Sequence, residues 1–176
     1  MNIKFTVRKT EAADLQDILD MIQELADYEE MPSGPKLKRE DLLRDGAFED
    51  NSLYKFFHSF VAEEIASDDN HTKSKIIGYS IAFFSYSKIL GKTYFLEDIY
   101  VKNEYRKLGV GGMLFKENVN FALAEGCKQL NLHVLDWNNP AINFYKKLHA
   151  EDLTTEKGVQ FVRFDKNRME NLMKMK

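Results

Sequence analysis

Tyr94-Phe95-Leu96-Glu97-Asp98-Ile99-Tyr100-Val101, followed by Lys102-Asn103-Glu104-Tyr105-Arg106-Lys107-Leu108-Gly109-Val110-Gly111-Gly112, is the stretch on which the fold turns. Its first part is rich in aromatic and β-branched residues and reads as a strand, while the run from Gly111 to Glu125 is made of strong helix formers. Between them, glycines at 109, 111 and 112 let the backbone approach a ligand with no Cβ in the way. The amides of this segment would open the helix, so several unpaired N–H groups and the positive end of the helix dipole face one point. Such a point binds a pyrophosphate, and Arg106 and Lys107 add charge within reach of phosphate oxygens. A glycine-rich turn that merely joins strand to helix has the same spacing. A dinucleotide fingerprint fits less well, because it belongs to a first βαβ unit and calls for an acidic residue after the next strand. No Gly-Lys-Ser/Thr follows the glycines, which excludes a P-loop.

Outward from this segment, the elements alternate. Ile3, Phe5 and Val7 alternate with polar residues as in a strand with one wet face, and Thr10 is placed to cap the helix that follows. That helix carries Leu15, Ile18, Leu19, Ile22, Leu25 and Ala26 at spacings of three and four, and stops near Tyr28 before the turn-rich Pro32-Ser33-Gly34-Pro35. A short helix is expected from Arg39 to Arg44, then strands from Phe57 to Glu64, Lys75 to Tyr86 and Thr93 to Val101, the last two joined by a hairpin at Gly91. Beyond Glu125 come a strand from Gln129 to Leu135, a helix from Pro140 to Leu148, a strand from Val159 to Asp165 and a short helical tail from Lys166. No repeat or long linker divides the chain, so residues 1–176 are expected to form a single domain of the α/β class, α+β in some schemes. Its centre is a mixed, mainly antiparallel sheet flanked by helices.

The totals narrow the function. A chain of 176 residues with 44% hydrophobic and 30% charged residues is an ordinary globular protein with room for one core. A net charge of −3 argues against a general nucleic-acid binder, which needs a basic face. The single cysteine, Cys127, can form no internal disulfide and is read as a small core hydrophobe in a reducing compartment. The longest apolar stretch, Ile76 to Phe84, is too short to span a bilayer, so a cytoplasmic protein without membrane association is expected. No cysteine or histidine cluster suggests a metal.

Arg106-x-x-Gly109-x-Gly111 after a strand, with Asn138-x-x-Ala141 and Phe144-Tyr145 beyond the next strand, resembles the GNAT N-acetyltransferase superfamily over nearly the whole chain. Leu25-Ala26-x-Tyr28-Glu29, Asp45-Gly46, Tyr94-x-Leu96-Glu97-Asp98, Val134-Leu135-Asp136-Trp137-Asn138 and Ile142-Asn143-Phe144-Tyr145 resemble the diamine (spermidine/spermine-type) acetyltransferases more narrowly. The resemblance implies acetyl-CoA as co-substrate and no metal. It implies that Arg106, Lys107, Leu108, Gly109, Val110, Gly111 and Gly112 hold the coenzyme A pyrophosphate, and that Ile99, Tyr100 and Val101 pair with its pantetheine arm by strand addition. Asn138, Ala141 and Tyr145 would complete the cofactor site, and a homodimer is implied.

Acetyl transfer to an amine needs a neutral nitrogen and a proton for the departing thiolate. A free alkylamine of pKa ~10.4 is almost wholly charged at neutral pH, so an acidic site collects it and a base must deprotonate it. Glu97 is the candidate base; a Glu-Asp pair in an apolar strand is costly unless something uses it, although a solvated strand-edge carboxylate is the plainer reading. Tyr145 is the candidate acid by the resemblance, since its phenol of pKa ~10 can donate to a thiolate whose conjugate acid is near 8.5; the spacing of Ala141, Phe144, Tyr145 and Leu148 on one helical face by itself reads as core packing. Tyr28, Glu29, Glu97 and Asp98 would form the amine-binding mouth, and His133 is read as a packed or edge residue.

Several positions depart from the polyamine type. Ser87 and Ile89 stand where it has an acid and a tryptophan, and Lys157 and Val159 replace a glutamate and a tryptophan. Lys157 would repel a cation. Ser87 with Leu135-Asp136 resembles instead the thialysine-acetylating branch, which takes a lysine-like amino acid. The leading expectation is thus a small primary amine such as a diamine or polyamine, with thialysine as the alternative; a protein N-acetyltransferase and a non-catalytic coenzyme A-binding module are lesser ones. His149 replaces a glycine that usually closes the last helix, a matter of the turn rather than of mechanism.

Overall fold

Successive strand residues face opposite sides of a sheet, and consecutive apolar residues such as Phe60-Val61-Ala62 and Ile76-Ile77 therefore place apolar groups on both. A computed structural model describes residues 4–31, 33–50, 54–65, 74–154, 158 and 162–173. Strands β1 (Lys4–Lys9), β2 (His58–Ile65), β3 (Lys75–Ser87), β4 (Gly91–Val101) and β5 (Leu130–Leu132) form a five-stranded sheet in sequence order. Pairing is antiparallel from β1 to β4 and parallel between β4 and β5. Helices α1 (Leu15–Tyr28), α2 (Arg39–Asp45) and α3 (Val110–Ala124) join this sheet in one compact unit, Met1–His133. A second unit, Val134–Lys176, holds α4 (Asn139–Lys147) and α5 (Lys166–Leu172).

Helix α1 packs Leu15, Ile18 and Met21 against Val61, Ile76 and Tyr79. The neighbouring strand positions Phe60, Ala62 and Ile77 pack instead with Val110 and Leu114 of α3. Each of these buried aliphatic side chains contributes about 1.5–3 kcal/mol, well above what helix propensity supplies. Gly78 has no room for a side chain: a Cβ there would lie 2.8 Å from the Tyr100 carbonyl oxygen and 3.2 Å from Leu114 Cδ1 of α3. Asn118 of α3 donates from Nδ2 to Ser80 Oγ at 2.7 Å, a polar tie between helix and strand inside an apolar layer. Cys127 is buried with Ala82, Tyr94, Leu96 and Ala122, as a core residue.

Three expectations are corrected. Thr10 does not cap α1; its Oγ1 donates to Ser59 Oγ at 2.7 Å, while a 3-10 turn (Ala12–Asp14) leads into the helix and Asp14 accepts from the Glu11 amide at 2.8 Å. Asp14 takes this place because Arg8 grips its carboxylate with both Nη atoms, at 2.7 and 2.9 Å, and reaches Glu63 through Nε at 2.8 Å. The strand expected from Gln129 to Leu135 shrinks to Leu130–Leu132, because its partner β4 bulges after Leu96 and the parallel ladder ends there. Of the strand expected from Val159 to Asp165, residues 159–161 lie outside the described residues and 162–165 form no strand; Asp165 caps α5 by accepting from the Arg168 amide at 2.9 Å.

Candidate active site

The glycine segment forms as its composition demands. Arg106 is extended, Lys107 and Gly109 take positive φ (63° and 92°), and Gly109 caps α3. The first backbone hydrogen bond of the helix runs from the Met113 amide to the Gly109 carbonyl at 3.1 Å. The amides of Val110, Gly111 and Gly112 therefore have no partner within the helix. Gly109 needs its glycine for conformation, but Gly111 and Gly112 do not. A Cβ on Gly112 would meet nothing within 4 Å, and one on Gly111 only Val101 Cγ2 at 3.8 Å. Packing gives no reason for glycine at these two positions of the segment. Leu108, half exposed, and Lys107 flank it.

Arg106 does not extend over those amides. Its Nε donates to the Val101 carbonyl at 3.0 Å, and its guanidinium lies 5.4 Å from the ring centres of both Tyr28 and Tyr100. Tyr100 in turn donates to Glu24 Oε2 at 3.0 Å, and Lys102 donates to Glu24 Oε1 at 2.8 Å. Burial alone would raise the Glu24 carboxyl, but these two hydrogen bonds and the Lys102 charge carry it below its ordinary value. The guanidinium is thus anchored where β4 ends and the glycine segment begins. Along β4, residues Ile99, Tyr100 and Val101 pair with β3 on one side, and no strand among the described residues pairs with the other.

Glu97 occupies the bulge itself. Ile81 pairs with Asp98 and Ala82 with Leu96, leaving Glu97 without a partner and exposed. One residue on, Asp98 is partly buried and accepts from the Tyr79 hydroxyl at 3.1 Å. Burial pushes the Asp98 carboxyl up, the Tyr79 hydrogen bond opposes this, and the Glu97 charge adds to the rise. Glu29, just past the end of α1, is raised by burial and by repulsion from Asp98. No positive side chain of the described residues offsets that repulsion at either carboxyl. Glu29, next to Tyr28 at the end of α1, is therefore brought close to Asp98 within β4, with Glu97 beside it in the strand. A hollow of about 90 Å³ lined by Lys9, His58, Phe60 and Phe121 contains none of the expected site residues.

In the second unit, Asn138 caps α4 by accepting from the Ala141 amide at 3.2 Å, and Pro140 sits in the first turn. Tyr145 is buried and its ring lies 5.2 Å from that of Phe144, edge to face; Ala141 is half-buried and Leu148 exposed. The helix closes through His149, whose φ of 61° is the left-handed value a glycine usually supplies. Lys157 and Val159 lie outside the described residues. Tyr79, the bulge and the Arg106 stack were missed by the sequence reading. Only Tyr79 carries a signal there, since a phenol in an apolar strand needs a buried partner.

Residues 18–150 match the acetyltransferase (GNAT) family. The chain belongs to the GNAT acetyltransferases. It is 41% identical over 166 residues to a thialysine N-epsilon-acetyltransferase of Sus scrofa, covering 94% of this chain and 95% of that protein. A spermidine/spermine N(1)-acetyltransferase-like protein 1 of Homo sapiens is 36% identical across 94% of this chain but only 23% of its own length. Among solved structures, an integron cassette protein of V. cholerae superposes with a TM-score of 0.70 at 18% identity, covering 97% and 98% of the two chains. An aminoglycoside N-acetyltransferase in complex with CoA superposes at 0.65 with 19% identity over 94% and 96%. At that identity the structural likeness speaks for the fold. Family and relatives together make this GNAT protein an N-acetyltransferase. No helix of the described residues is long and apolar enough to cross a membrane, and no group of His, Cys, Asp or Glu among them could hold a metal.

Proposed function

We propose that this GNAT protein transfers the acetyl group of acetyl-CoA to the side-chain amine of thialysine or a similar lysine-like amino acid. The observation that carries the choice is its likeness, at 40–41% identity over 94% of the chain, to thialysine N-epsilon-acetyltransferases of Sus scrofa, Bos taurus and Mus musculus. They favour this alternative over the diamine reading that leads from the sequence. The site agrees with a short acceptor. Ser87 accepts from the Ile89 and Leu90 amides at 3.2 Å each and so closes the β3–β4 turn, bringing no negative charge where the spermidine type has an acid. Glu29 and Glu97 each act on Asp98, and these carboxyls suffice for one ammonium.

The open Gly111 and Gly112 positions and unpaired amides suit a pyrophosphate, and the unpaired side of Ile99 to Val101 suits a pantetheine amide. Arg106, Lys107, Leu108, Gly109 and Val110 shape that cradle, and Asn138 and Ala141 belong to the same proposed cofactor set. Acetyl-CoA, when bound, supplies the acyl group as a thioester. Asp98 and Glu29 hold the acceptor's ammonium, Glu97 takes a proton from it, and Tyr145 holds a proton on its hydroxyl for the leaving sulfur. The family match spans both units, which supports a single functional domain. A cytoplasmic homodimer completes the proposal, and exposed Val162 and Phe164 are suited to a second copy.

Acetylated product measured by mass spectrometry across thialysine, lysine, putrescine, spermidine and a peptide panel tests the acceptor. Thialysine should give the highest kcat/KM, and a preference for spermidine or peptide would overturn the reading. Replacing Gly111 and Gly112 together by alanine tests the cradle. Alanine in a helix is worth about 0.5–1 kcal/mol over glycine, so thermal stability should hold or rise. Coenzyme A affinity by calorimetry should fall at least tenfold, since each lost hydrogen bond to a charged oxygen costs about 1.5–3 kcal/mol. Unchanged affinity would leave the segment a plain turn.

A further inference from the structure

Tyr79, in the centre of β3, carries a hydroxyl that packing does not require. It has no exposed surface, sits in the core cluster with Leu15, Ile18 and Met21, and a phenylalanine would fill the same volume. A buried hydroxyl costs stability unless it is paired, and this one gives its proton to Asp98 Oδ2 at 3.1 Å. The contact is diagonal across the strands: Tyr79 pairs with Tyr100 and Asp98 with Ile81. Among the described residues, the charged groups acting on Asp98 are acidic. Glu97 precedes it on β4 and Glu29 reaches it from the end of α1, while Arg106 stands between the rings of Tyr28 and Tyr100. Three carboxyls crowded without a cation tend to take up a proton, which would abolish the attraction for an ammonium. Among the described residues Tyr79 is the neighbour that counters this, and it does so from the buried side, away from solvent.

We propose that Tyr79 is a positioning residue for the acceptor amine, holding Asp98 ionised through Oδ2 and leaving Oδ1 to meet the incoming ammonium. This rests on the reading that Asp98 belongs to the amine-binding mouth. The phenol itself stays protonated, since burial and the charges of Asp98 and Glu29 raise it well above its ordinary value. A hydrogen bond to the charged form lowers a carboxyl's pKa, so removing it moves protonation of Asp98 to higher pH. As pH falls through that value the mouth loses a charge and KM for the amine rises.

The test uses the full chain with ¹³C-carboxyl aspartate, assigned by Asp98→Asn. In Tyr79→Phe the Asp98 titration midpoint should rise by about one pH unit. KM for thialysine, compared at roughly pH 6 and roughly pH 8, should rise more at the lower pH, by at most about tenfold for a one-unit shift, with kcat affected less than KM. In the Asp98→Asn background, Tyr79→Phe should add nothing to KM. An unmoved Asp98 midpoint in folded Tyr79→Phe would overturn the positioning role. A moved midpoint with KM unchanged at both pH values would instead remove Asp98 from the amine mouth while leaving the Tyr79–Asp98 coupling intact. Should the variant fail to fold, the wild type still decides: the Tyr79 ring-carbon shift must follow the Asp98 titration, and its independence of it would sink the proposal.

Discussion

Tyr145→Phe is expected to lower kcat by about 10²–10³-fold, the range for loss of a positioned general acid. Coenzyme A affinity and thermal stability should change little. The substitution is clean because of where the residue sits: Asn138 and Pro140 set the start of α4, Tyr145 is buried near its end, and its ring is fixed edge to face on Phe144. Phenylalanine keeps that ring and removes one oxygen. A phenol suits the task because tyrosine's ordinary value of ~10 is above neutral pH yet close enough to ~8.5 for proton transfer to a thiolate. Release of free thiol, followed continuously, reads the step, and calorimetry of coenzyme A binding supplies the control. A kcat within twofold of wild type would return Tyr145 to the core-packing role that its helical spacing alone suggests.

Glu97→Gln should cost about 10²–10³-fold in kcat, and the loss should shrink as pH rises. An amine of pKa ~10.4 has a free-base fraction that grows about tenfold per pH unit below that value, so alkali progressively replaces a missing base. The wild type should level off where the variant keeps climbing. Glutamine preserves the side-chain length at a bulge whose geometry is set by pairing on either side, Ile81 with Asp98 and Ala82 with Leu96, so the strand should not rearrange. A flat ratio of wild-type to variant rates across pH would point to lost binding rather than lost proton transfer. Rates equal within twofold would make Glu97 the solvated strand carboxylate of the plainer reading.

Much of this protein is legible one element at a time. The apolar spacing of Leu15, Ile18 and Leu25 predicts α1 because a helix repeats every 3.6 residues. Alternation predicts β1, strand-like runs bounded by turn signals predict β2 to β4, and the run from Arg106 to Gly112 announces a strand-to-helix turn with open amides. These depend on neighbours within a few positions, where local sterics and hydrogen-bond periodicity dominate. The failures are equally physical. Thr10 had a capping sequence, but Ser59 lay across the sheet with a better partner for its hydroxyl. The strand after Gln129 had the composition to continue past Leu132, but β4 bulges and withdraws its ladder.

By itself, then, the sequence determined the class of fold, the turn at Gly109 to Gly112 and, by resemblance, the acetyltransferase family. Only the tertiary structure decided that Glu97 stands out of the β4 ladder, that Arg106 lies between Tyr28 and Tyr100, and that Glu29 repels Asp98. It alone shows Tyr79 beneath Asp98, 19 residues away along the chain. Such contacts join distant segments, and their strength depends on burial and on the charges around them, neither of which a local pattern records.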